Sequence, residues 1–141
     1  MMRRILLALA LALIVAQPMH ARAAEAIDTK NRGPVDVELP PIIAPMIVAQ
    51  RLESYAYITV SLTPSNLNQA FLIREKIPFL RDAFLRELNK GSIVKAGDPK
   101  TVDADAVKQR LETRMKLILP AGTVTALKLA PIVVTPLQGV N

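Results

Sequence analysis

Cysteine and tryptophan are absent from the 141-residue chain, and histidine occurs once, at His20. Without a thiolate, the chain cannot build a zinc site of the common nitrogen–sulfur kind, a Cys-His pair or a disulfide. His20 lies in a segment expected to be removed from the mature protein, which also excludes a Ser-His-Asp triad there. Aromatic residues are few, three phenylalanines and two tyrosines. They form no stacking platform, and the lysines and arginines alternate with acids, so nucleic acid is excluded as an expected partner. Long hydrophobic runs are also missing. The longest, Ile5 to Ala16, has twelve residues, short of the roughly 20 that cross a bilayer.

That run follows MMRR and precedes QPMHARA, with Pro18 breaking it and small residues at Ala21 and Ala23. A basic start, an apolar stretch and a small-residue end form an export signal over residues 1–23, with cleavage expected after Ala23. Its rival is an uncleaved inner-membrane anchor. Extending the run to Ala24 would place Pro18, His20 and Arg22 in hydrocarbon, and a central arginine costs about 3 kcal/mol even on a lenient scale. The expected location is therefore the periplasm, by the Sec route, with the anchored form as the alternative. Removing Arg3, Arg4 and Arg22 with this segment lowers the formal charge from +6 to +3. The basicity thus resides largely in the targeting segment. With no disulfide, stability rests on packing, which the remaining chain of about 118 residues is long enough to supply.

Residues 24–34 are polar, lack periodicity and end in Gly-Pro, so they read as a flexible lead-in to a domain over 35–137. VDVEL, Val35 to Leu39, alternates as a half-buried strand does. The next run, PIIAPMIVAQR, is broken by Pro40, Pro41 and Pro45, which suits an extended segment at a sheet edge. SYAYITVSL, Ser54 to Leu62, is the clearest strand: Ala56, Ile58, Val60 and Leu62 point one way, Tyr55, Tyr57, Thr59 and Ser61 the other. Thr63-Pro64-Ser65-Asn66 then marks a helix start near residues 64–66.

Ala70, Ile73, Ile77, Leu80, Phe84 and Leu88 fall on one helical stripe that keeps its phase across Pro78. One helix bent at Pro78 is therefore expected, not two helices. The proline forfeits the bond to the Arg74 carbonyl at a cost of about 3 kcal/mol, offset by burial on both sides. Ser92 to Asp103 reads as a loop around Gly-Asp-Pro. Asp103 is the expected cap of a second helix carrying Val107, Leu111, Met115 and Ile118 inward, with Glu112 placed to pair with Lys116 and Pro120-Ala-Gly122 ending it. Val124 to Leu129 is a closing strand, followed by Pro131 and a short apolar tail. The fold class is α+β: a small, mostly antiparallel sheet covered by two helices, the first kinked at Pro78.

The run IREKIPFLRDAFLREL, Ile73 to Leu88, lies between the strand YITVSL and a second amphipathic helix with its closing strand. It resembles the periplasmic domain of the FliL family, flagellar basal-body-associated proteins with a stomatin-like fold. The likeness rests on a kinked helix bearing Pro-x-x-Arg-Asp, here Pro78, Arg81 and Asp82, and extends over roughly Val35 to Thr135. What the resemblance implies is a non-enzymatic accessory role at the flagellar basal body and motor. It implies homo-oligomers in contact with stator and basal-body proteins near the inner-membrane surface, supporting motility, with no cofactor. The alternative is a soluble periplasmic interaction module of the same fold with no role in motility.

The candidate interaction surface is a second, smaller apolar set on the bent helix, Leu72, Phe79 and Ala83, beside Arg81, Asp82 and Arg86. Either it contacts another subunit, or the proline-rich arm from Pro40 to Val48 covers it. Asp82 and Arg86, four apart, are placed for a surface ion pair worth under about 1 kcal/mol. Ser61, Ser65 and Ser92 lack a motif that sets a base beside a nucleophile, so no catalytic residue is assigned. Asp98, Asp103 and Asp105 crowd one loop without calcium-loop spacing, so no metal ligand is assigned either.

Overall fold

The computed structural model describes residues 33–137. The expected signal with Ala21 and Ala23, and nearly all of the 24–34 lead-in, lie outside the described residues. Within them the order is β1 (Val37–Glu38), β2 (Ile42–Val48), β3 (Arg51–Ile58), β4 (Val60–Pro64), α1 (Leu67–Asn89), β5 (Val94–Lys95), β6 (Asp98–Val102), α2 (Ala104–Met115), β7 (Val124–Leu129) and β8 (Val133–Pro136). The architecture is α+β, as the sequence pattern implied.

The strands make three small antiparallel sheets where one was expected: β1-β4-β7, β2-β3-β8 and the hairpin β5-β6. The first two are halves of one bent three-stranded array. Thr59 alone separates β3 from β4, and the junction is bridged by the Leu39 amide donating to the Val60 carbonyl (2.9 Å) and the Ala130 amide donating to Thr59 (3.1 Å). The central strand delivers Ala56, Ile58, Val60 and Leu62 to the core, all fully buried. That alternation is the period-2 signal read from SYAYITVSL.

β2 forms the edge that its prolines suggested, pairing only with β3. The β2–β3 turn consists of Ala49 and Gln50, both at positive φ (48° and 64°). Two-residue hairpin turns of this hand match the twist of the flanking strands, but they favour glycine and asparagine. Here alanine and glutamine, which have neither glycine's freedom nor asparagine's local hydrogen bonding, occupy the positions, a local strain of about 1–2 kcal/mol per residue.

α1 runs unbroken through Pro78, which settles the question its sequence raised. Its cap is Asn66, whose side chain accepts from the Gln69 amide at 3.0 Å. The start expected near residues 64–66 is met at its last residue, while Thr63 and Pro64 do not serve as cap and first turn, because both are used by β4 and Pro64 pairs with Val124. Ala70, Ile73, Leu80, Phe84 and Leu88 are buried and Ile77 half-buried. Burial on both sides of the proline offsets its missing hydrogen bond.

Ser92 to Asp103 is corrected from loop to hairpin. Lys95 pairs with Asp98 across Ala96-Gly97, and Gly97 has φ 81°. Pro99 favours a loop by sequence, yet it stands in β6, since proline is tolerated in a two-stranded edge. Asp103 caps α2 as expected, its carboxylate accepting from the Ala106 amide at 3.0 Å. Val107, Leu111 and Met115 pack inward. The Glu112–Lys116 ion pair does not form among the described residues. Beyond Pro131 the apolar tail is a further strand, β8, returning to pair with β3.

Candidate functional site

Both helices pack on one face of the bent sheet and are locked together by Glu87. Its carboxylate accepts from Arg114 Nε at 2.5 Å and Arg110 Nε at 3.4 Å, and Arg110 also donates to the Glu87 and Ser92 carbonyls. The Arg114 hydrogen bond, reinforced by Arg110, holds this carboxyl below its ordinary value of 4.5, against the opposing effect of burial. A second lock joins strand ends. Asp36 accepts from Lys128 Nζ and Thr63 Oγ1, each at 2.7 Å, and those bonds lower its pKa in turn. These clusters are satisfied internally and hold the scaffold.

The acids of the 98–105 stretch are likewise occupied by local structure. Asp98 accepts from Thr101 Oγ1 at 2.6 Å and from the Lys100 amide at 3.1 Å, closing the β6 end of the hairpin, and Asp103 is the α2 cap. The chemistry of these groups is that of turns and helix termini.

What the scaffold leaves open is apolar. On α1, Phe79 is 62% exposed, so the arm from Pro40 to Val48 does not cover it. Lys76 Nζ lies 5.5 Å from its ring centroid, a cation–π contact that caps one side of the ring. Leu72 and Ala83 beside it are half-buried, while Arg81, Asp82 and Arg86 are exposed. Asp82 and Arg86 form the expected ion pair at 3.0 Å, and Arg81 takes no part in it.

Two apolar surfaces were not foreseen. The first is an open flank of α1 with Leu67, Phe71 (60% exposed) and Leu85, in line with exposed Pro78. Its spacing of four, seven and seven residues was legible, but it runs beside a longer buried stripe that dominates the pattern. The second is the sheet face turned away from the helices. Register sets Ile43, Tyr57 and Val133 in one cross-strand row and Pro45, Tyr55 and Thr135 in the next, with Ile47 and Leu52 nearer the turn. Ile43 is 49% exposed and Val133 60%.

An antiparallel sheet covered on one side ordinarily alternates apolar-in with polar-out. β2 instead reads IIAPMIV, apolar on both faces. Such a pattern is that of a strand buried twice, and here only one burial is supplied. Contiguous apolar surface of this kind marks contact sites.

No family model matches this chain, and no curated protein matches it. The surface must therefore be read from its own chemistry. That chemistry is an aliphatic and aromatic sheet face with no charged side chain among its two central rows, and a helix carrying two open phenylalanines among mixed charges. Among the described residues, no helix is long and apolar enough to cross a membrane.

Proposed function

We propose that the domain works by protein contact rather than catalysis, as an exported accessory protein of the bacterial flagellar basal body and motor. It supports stator function and motility by oligomerising and by touching stator and basal-body proteins in the periplasm. The observation that carries the contact role is the open sheet face, where Ile43, Tyr57 and Val133 stand in one exposed row over a scaffold that is otherwise well packed. Polar residues at these positions would serve a monomer equally well, and apolar ones gain free energy only when covered.

The flagellar assignment is supported by the resemblance carried by Pro78, Arg81 and Asp82, all on one helix that follows the central strand. A second reading keeps the contact surface and drops the motor: an interaction module of the same fold in a cell that need not swim. Deletion in a flagellated host separates the two. The first reading expects slower swimming and lower torque per motor. Unchanged torque overturns it and leaves the second.

A further inference from the structure

The open flank of α1 carries more than apolar residues. About the helix axis, taking 100° per residue, Phe71, Pro78 and Leu85 form a seam within about 20° of Pro78, with Leu67 in line. Arg74 and Arg81 lie about 40° and 60° to one side, Glu75 and Asp82 about 60° and 40° to the other. All seven of Phe71, Arg74, Glu75, Pro78, Arg81, Asp82 and Leu85 are exposed. α2 is on the far side of α1, joined through Glu87, which points about 180° from Pro78. Nothing among the described elements stands between this flank and solvent.

We infer that this flank receives the α1 helix of a second copy of the chain, in parallel orientation about a twofold axis along the seam. This deepens the protein-contact reading above and rests on it. Charge complementarity sets the orientation. A twofold axis along parallel helices brings the acidic flank of each copy to the basic flank of the other. Glu75 then meets Arg74 of the second copy, and Asp82 meets Arg81, on both sides of an apolar strip formed by Phe71, Pro78 and Leu85 against their own counterparts. Antiparallel pairing does the opposite: it sets Arg74 and Arg81 against the same pair, and Glu75 beside Asp82. Flanking charges choose partner orientation in this manner in paired helices.

Present engagements hold these groups loosely: Glu75, largely exposed, has a long contact of 3.8 Å with its neighbour Lys76. Arg81 takes part in no ion pair among the described residues. Arg74 sits 5.8 Å from the Phe71 ring centroid, on the seam side. Asp82 holds Arg86, an exposed pair that costs little to share. One helix seam belongs to the small end of interfaces, below about 1,200 Å² in total, so the association is weak and concentration-dependent.

The chain has no cysteine, which makes the test direct. Leu85→Cys is introduced into the full chain, which is exported, purified and air-oxidised. Parallel pairing brings residue 85 to its own counterpart and yields a disulfide-linked dimer, whereas antiparallel pairing faces it with Phe71 and yields none. Sedimentation of the cysteine-free protein over a range of concentrations supplies the second measurement. Arg74→Glu with Arg81→Glu is expected to weaken the dimer at least tenfold, and adding Glu75→Lys with Asp82→Lys to restore it. A chain that stays monomeric throughout, one that binds anionic vesicles in place of itself, or a dimer indifferent to these charges overturns the inference. If these charge variants nonetheless lower motor torque, the contact reading stands with another occupant. If they alter neither mass nor torque, this flank is excluded as a contact surface as well.

Discussion

Replacing Pro78 with alanine is expected to stabilise the domain. Proline is about 3 kcal/mol less favourable than alanine inside a helix, because it removes a hydrogen bond and its ring presses on the carbonyl four residues back. Here that carbonyl belongs to Arg74, and the helix runs through with Pro78 exposed, so alanine meets no neighbour in the core. Two effects reduce the gain. Alanine gives the unfolded chain more freedom, worth about 0.4–1 kcal/mol. Any shift of Leu80 and Phe84, both buried on the C-terminal side of the proline, takes a further part. A net gain of about 1–2 kcal/mol remains. For a domain of this size that raises Tm by roughly 4–8 °C, read by thermal melting of the helical circular dichroism signal. A lower Tm would refute the reasoning, because it would mean that the backbone geometry proline imposes is what lets the two halves of the buried stripe, Ala70–Ile73 and Leu80–Leu88, reach the sheet together.

Three further outcomes follow from the same packing. Glu87→Gln keeps the shape but removes the charge that Arg110 and Arg114 share, and should cost about 1–2 kcal/mol in urea unfolding, a charged hydrogen bond discounted for partial exposure. Because the folded-state pKa of Glu87 is lowered, its contribution is fully present above the ordinary value of 4.5 and is lost as pH falls through the lowered one. Asp36, lowered from 3.8 by Lys128 and Thr63, acts with the same sign. Wild-type stability should therefore fall below about pH 4.5, and less steeply in the Glu87→Gln variant; parallel acid titrations of the two would contradict this. Ala49→Asn with Gln50→Gly, which supplies residues suited to positive φ at both turn positions, should raise stability by about 1 kcal/mol.

Much of the fold was legible because its strongest periodicities coincide with burial. The alternation in SYAYITVSL and the helical stripe from Ala70 to Leu88 are each dictated by one apolar face against one core, and neither depends on distant residues. Asp103 was legible as a cap because capping is local. The misreadings came where local chemistry is ambiguous. Thr63-Pro64 suits a helix start, but the long-range pairing of Pro64 with Val124 held it in a strand and passed the cap to Asn66. Gly97-Asp98-Pro99 suits a loop as well as a hairpin, and only the pairing of Val94 with Val102 decides.

The candidate surface was half legible. Phe79 was identified from the helical wheel, but whether the arm covered it depended on tertiary packing. Of the sheet face of Ile43, Tyr57 and Val133, only the outward side of the central strand, with Tyr55 and Tyr57, was legible. The face joins three strands, and the third, β8, had been read only as a short apolar tail after Pro131.

The proposed contact role rests on the open sheet face, so making that face polar should remove the role. Ile43→Thr, Tyr57→Thr and Val133→Thr together keep residues suited to strands while making the row polar. All three are exposed, so Tm should change little. Torque of single motors in a flagellated host, with the triple variant at the wild-type level, is the decisive measurement. Torque should fall towards that of the deletion strain; wild-type torque from a folded triple variant would rule out the sheet face as the working surface.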